Sequence, residues 1–173
     1  MSADDNFELF RLPEPEDGLE PIVDRVLRMH EHEHLVENEI DLAFLFRCEE
    51  KIIGGRQILG TAYEPKVQGG LKDVFEWMIQ RLLGRMPRFL IVLDAGYWAE
   101  CGERNREILV FHELTHCQQK RDRYGELRFD MDGNPVYGLL GHDVEEFTSV
   151  VRRYGAWNDG IRDFIAAANQ GDA

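Results

Sequence analysis

An α+β fold is the class this sequence predicts, on three observations. Short runs of alternating apolar residues stand between stretches of helical periodicity. Neither an internal repeat nor a central linker divides the chain. Its 173 residues, 43% of them hydrophobic, are enough to bury a core as one domain.

The elements follow in order. Residues 1–18, "MSADDNFELFRLPEPEDG", are acidic and carry two prolines, and they read as a flexible lead-in to a single domain spanning 19–170. Pro21 suits a first helical turn, and Ile22, Val23, Val26 and Leu27 recur at helical spacing, which predicts a helix over 20–35. Ile40, Leu42, Phe44 and Phe46 alternate as in a strand. "EKIIGGRQILGTAY" reads as a second strand paired with it, with Gly54-Gly55 as a bulge. Leu71, Val74, Phe75, Met78, Ile79 and Leu82 trace one helical face that stops near Gly84. "RFLIVLD", 88–94, is a short buried strand, and a helix is expected over 103–120. Asp132-Gly133 marks a hairpin turn within 126–140, and residues 142–154 and 157–169 read as helices.

The expected helix over 103–120 contains "HELTH", 112–116. Residues four apart on a helix lie on one face, so His112 and His116 can point at one metal ion. Glu113 flanks the same place and can take a proton from a water on that metal. Ile108, Leu109, Phe111 and Leu114 surround the motif with apolar surface, where polar side chains are costly without a partner. A catalytic zinc site needs a third protein ligand. "GLLGHDVEEF" supplies candidates: His142 and Glu146, four apart at an expected helix start, then Glu145, with Asp143 as a carboxylate that could orient a ligand imidazole. An acidic helix N-terminus accounts for the carboxylates but not for His142.

Other features carry less. His30, His32 and His34 alternate in "MHEHEHLVE", where His30 and His34 could share a metal, and a solvated helix end is the simpler expectation. "DMDGN", 130–134, suits a turn better than a calcium loop. Tyr97 and Tyr137 are candidate oxyanion donors. Trp98, Trp157 and Cys117 read as packing residues. Residues 94–101, "DAGYWAEC", could form an edge strand for an extended substrate.

Net charge is −13, from 33 acidic and 20 basic side chains. Such a surface repels nucleic-acid phosphates and anionic membranes, which argues against direct nucleic-acid binding. Apolar runs fall short of a membrane span, and the acidic N-terminus has no signal pattern, so a cytoplasmic location is expected. Three cysteines without C-x-x-C spacing argue against a disulfide framework.

"HELTH", "HDVEEF" at 142–147 and "RRYGAW" at 152–157 together resemble the metallopeptidases encoded by bacteriophages, with weaker likeness in "IDLAFLF" and "GTAY". The resemblance implies a compact zincin-like domain, its small sheet packed against the motif helix. It implies a zinc-dependent peptidase acting on protein or peptide in the host cytoplasm. It assigns His112 and His116 as metal ligands, His142 as the third and Glu113 as general base. Two alternatives stand beside it. One is an acidic, non-catalytic interaction protein that occupies a basic partner. The other is a zinc hydrolase of a non-peptide amide, with identical motif chemistry.

Overall fold

The computed structural model describes residues 8–146 and 148–171. The chain is α+β and divides into two compact units, 1–140 and 141–173. Among the described residues no helix is long and apolar enough to cross a membrane.

The first unit begins with Phe10–Arg11 (β1) and a 3-10 turn, Pro15–Asp17, inside the stretch read as a lead-in. Arg11 grips the Asp17 carboxylate with two hydrogen bonds of 2.7 Å, and the Asp17 carbonyl accepts the Trp98 indole N–H at 2.9 Å. Residues 1–7 lie outside the described residues. Gly18, at φ 64°, starts Leu19–Leu27 (α1), which buries Leu19, Ile22 and Val26 along one face. The single helix expected over 20–35 breaks at a 3-10 turn, His30–His32, before Glu33–Glu37 (α2).

Leu42–Arg47 (β2) forms where alternation predicts it. The strand expected next to it does not pair with it. Ile52–Ile53 (β3) and Arg56–Gln57 (β4) close on each other around Gly54 and Gly55, both at positive φ. Those glycines make a tight hairpin, not a bulge. Gly60–Tyr63 (β5) then pairs antiparallel with Phe89–Asp94 (β6), which runs parallel to β2. The sheet order is β1-β2-β6-β5. The apolar run "FLIVLD" explains this centre: β6 is largely buried, so it needs strands on both sides. Lys72–Leu83 (α3) connects β5 to β6 and ends at Gly84, φ 70°.

Ala95–Glu100 (α4) follows β6, capped by the Asp94 carboxylate on Tyr97 N–H. Residues 94–101 are therefore not the edge strand expected there. Asp94 supplies a good N-cap, and the short turn of helix seats Trp98 in the core. Glu103–Thr115 (α5) carries the motif. Cys117–Gln119 (β7) pairs with Tyr137–Leu139 (β8), so the helix expected to reach 120 ends at His116, where a strand ladder takes over. Between β7 and β8 the chain turns at Asp130–Asn134, where the Asp130 carboxylate accepts backbone N–H bonds from Asp132 and Asn134.

One core holds the unit together. Leu19, Ile22 and Val26 of α1 and Leu109, Val110 and Leu114 of α5 pack with Phe46, Phe89, Ile91, Leu93, Trp98 and Tyr137. Each such side chain contributes about 1.5–3 kcal/mol on burial.

In the second unit, residues 142–146 are not helical, and helices occupy Thr148–Tyr154 (α6) and Asp159–Gln170 (α7). The helix expected from 142 starts late because the chain leaves β8 extended, with Leu140 N–H held by the His116 carbonyl at 2.8 Å. Asn158 caps α7 through Ile161 N–H.

Candidate metal centre

The last turn of α5 presents His112 and His116 on one face, and their Nε2 atoms lie 3.3 Å apart. His116 Nδ1 lies 2.6 Å from the Leu140 carbonyl oxygen. A carbonyl only accepts, so Nδ1 carries the hydrogen and Nε2 keeps its lone pair turned towards His112. This is the tautomer a metal ligand needs, fixed by its outer partner. Two nitrogens on one tetrahedral zinc, each ~2.0–2.1 Å from it, lie about 3.3–3.4 Å apart. The observed pair matches that spacing.

The loop that fixes the imidazole is itself built on His116. β8 ends at Leu139, and Leu140 gives its N–H to the His116 backbone while its carbonyl takes the His116 ring hydrogen. A backbone carbonyl thus fixes the His116 ring, the task expected of a carboxylate such as Asp143. His142 belongs to the second unit and follows Leu140 by two residues. Glu146 accepts the Trp157 indole N–H at 3.1 Å. Glu145 is exposed.

Glu113 is buried, at 3% exposure. Burial pushes its carboxyl up to about 7, against the opposing pull of the Ala62 backbone N–H. Its Oε2 has no hydrogen-bond partner among the described residues. The β5–β6 register explains the Ala62 contact. Asp94 N–H bonds the Leu59 carbonyl at 2.8 Å, so residues 59, 61 and 63 face β6 while Gly60 and Ala62 turn outwards. Gly60 makes room for the carboxylate: a Cβ built there would stand 2.5 Å from Glu113 Oε1. Sequence reasoning passed over Gly60 and Leu140. A lone glycine within a strand signals close approach and was a usable clue, whereas a backbone carbonyl leaves no trace in residue type.

A family model described as "Putative phage metallopeptidase" matches residues 7–169. The chain belongs to that family. The phage metallopeptidase match covers α5 and the 142–146 segment together. No curated protein and no solved structure matches the chain.

The remaining candidates have other tasks. Tyr137 is buried, and its hydroxyl donates to the His34 carbonyl at 2.9 Å while Asn38 donates to it at 3.0 Å. That oxygen serves the core. Tyr97 packs partly against the same core. His32 and His34 are not solvated: His32 is fully buried against Phe111, and His34 lies 2.9 Å from the Tyr137 hydroxyl. His30 is exposed beside Glu33. Cys117 is buried in β7, where burial first, and Glu113 second, push its thiol up to about 12. It is a packing residue, on a strand instead of a helix.

Proposed function

We propose that this chain is a zinc-dependent peptidase in which His112, His116 and His142 hold the metal and Glu113 handles the proton. The observation that carries the reading is the His112–His116 pair, 3.3 Å apart at Nε2 with the His116 ring fixed by Leu140. His142 is favoured as third ligand by connectivity. It follows Leu140 by two residues, which span at most ~7 Å of extended chain. Glu146, its rival, is engaged by Trp157.

Bound zinc would supply Lewis acidity, polarising a peptide carbonyl and acidifying a water molecule. Glu113, on the same helical turn, accepts the water proton at its carboxylate and returns it to the departing amine. Its buried setting keeps that carboxylate from competing solvent. The outer edge of β5 is the strand edge beside Glu113, and an extended substrate lying along it would bring a backbone amide to the carboxylate.

The test is zinc content by elemental analysis, paired with hydrolysis of a peptide library. Wild type is expected to hold about one zinc per chain. His116→Ala and His142→Ala are expected to lose it, and Glu146→Ala to keep it. Glu113→Gln is expected to keep metal and fold and to lose turnover. Metal retained in His116→Ala would overturn the centre. Loss in Glu146→Ala alone would move the third ligand.

A further inference from the structure

The sheet has a second open edge, far from Glu113. β2 pairs with β6 in parallel with Leu42 opposite Phe89, and Phe89 N–H bonds the Asp41 carbonyl at 3.2 Å. In that ladder Asp41, Ala43 and Leu45 direct their backbone groups to β6, so those of Leu42 and Phe44 point the other way. β1 covers only part of that side. Cys48 N–H bonds the Leu9 carbonyl at 2.9 Å, and Arg11 stands opposite Phe46. The next pair in register is residue 13 with residue 44. Residue 13 is proline, which has no N–H to give, and the chain turns away into the 3-10 turn.

A groove of about 910 Å³ opens where β1 departs. Val23 and Leu27 of α1 and Phe44 of β2 line it, with the carboxylates of Glu14, Glu20 and Asp24. Among the described residues its one basic lining residue, Arg85, is committed to Asp41 at 2.7 and 2.9 Å and to the Leu42 carbonyl at 2.9 Å. The groove therefore combines an unfinished strand ladder, an apolar floor and an excess of negative charge.

We propose that this edge of β2 is a docking site for an extended basic segment of a partner protein, which adds as a strand through Phe44 and sets cationic side chains against Glu14, Glu20 and Asp24. Strand addition supplies affinity through main-chain hydrogen bonds, and the carboxylates select charge. A second copy of this acidic chain would bring like charge into the groove. The site lies at the sheet edge opposite β5, so the proposal does not depend on the peptidase reading.

The probe is a fluorescein-labelled peptide of alternating valine and lysine, blocked at both ends. Its binding to the full chain carrying Glu113→Gln is followed by fluorescence anisotropy. Saturable binding is expected. It should weaken about tenfold or more when alternate peptide nitrogens are methylated, and likewise in the Glu20→Lys/Asp24→Lys variant, whose changes are at exposed positions. In amide NMR spectra the peptide should shift Phe44. Three results overturn the proposal: no saturable binding, an N-methylated peptide that binds equally well, or indifference to the charge reversal. Shifts centred on Gly60–Tyr63 would instead mark a substrate mimic at β5. A concentration-dependent dimer that shifts Phe44 without peptide would make a second copy the occupant. Either would also overturn it.

Discussion

A methyl group on Gly60 would stand 2.5 Å from Glu113 Oε1 and 2.8 Å from its carboxyl carbon. The carboxylate is buried and Gly60 is backbone, so the side chain must swing away. Gly60→Ala is expected to lower peptide hydrolysis by about tenfold or more while zinc content stays near wild type. Steady-state kinetics beside elemental analysis would check it, and unchanged turnover would mean that the Glu113 rotamer does not matter. His32 supports a second prediction at this scale. Burial, the largest cause, lowers its imidazole pKa below the ordinary 6.5. The folded protein then resists a proton that the unfolded chain accepts. The His32 contribution is present above about pH 6.5 and is lost as pH falls through the depressed folded value. His34 is lowered by burial in the same sense. Stability from urea melts of the metal-free chain is therefore expected to fall between about pH 7 and 5, and to fall less steeply in His32→Phe. Parallel slopes would assign the acid sensitivity elsewhere.

The elements show which signals local sequence carries. β6 and the body of α5 follow directly from "FLIVLD" and from the apolar residues around the motif. The end of α3 follows from Gly84, which adopts the left-handed conformation a helix stop favours. What β5 pairs with could not be read. Alternation reports that a strand exists, while its neighbour is set by which central strand needs covering. The early end of α5 was hidden for the same reason: Cys117–Gln119 leaves the helix because β8, some twenty residues on, offers it a ladder. Likewise the His112–His116 pair was legible as a pattern, but the carbonyl that orients the His116 ring was not. The β7–β8 ladder depends on Tyr137, whose hydroxyl serves His34 and Asn38 as well as packing against Phe89. Tyr137→Phe takes the hydroxyl from half-buried His34 Nδ1, while the His34 carbonyl keeps its bonds from Asn38. A loss of about 1–3 kcal/mol is expected in chemical denaturation, with secondary structure retained by circular dichroism.

For the whole molecule, a metal held by the folded state and not by the unfolded chain must stabilise it. At zinc a hundredfold above the dissociation constant the gain is about 2.7 kcal/mol. Thermal unfolding of the first unit's core should shift upwards with zinc and return on chelation, and His116→Ala should show neither change. Zinc-dependent stabilisation that survives in that variant would place the metal elsewhere. The charge of −13 acts on a different quantity. A net negative field attracts basic segments and repels phosphates.

The two bonds between His116 and Leu140 close residues 116–140 into a ring. The ring is fastened at His116 and free to vary at its far end. Gly133, at φ 82° in the Asp130–Asn134 turn, sits at such an end among exposed residues. Lengthening a surface loop costs little, because closure entropy grows only logarithmically with length. The hairpin can thus acquire new cargo, by natural insertion or by design, without transmitting a change to the imidazole. A short flexible tag inserted after Gly133 is expected to leave zinc content and melting temperature near wild type. Loss of metal in that protein would show the ring to be a strut whose full length matters, and the clasp at Leu140 alone would not account for the orientation of His116.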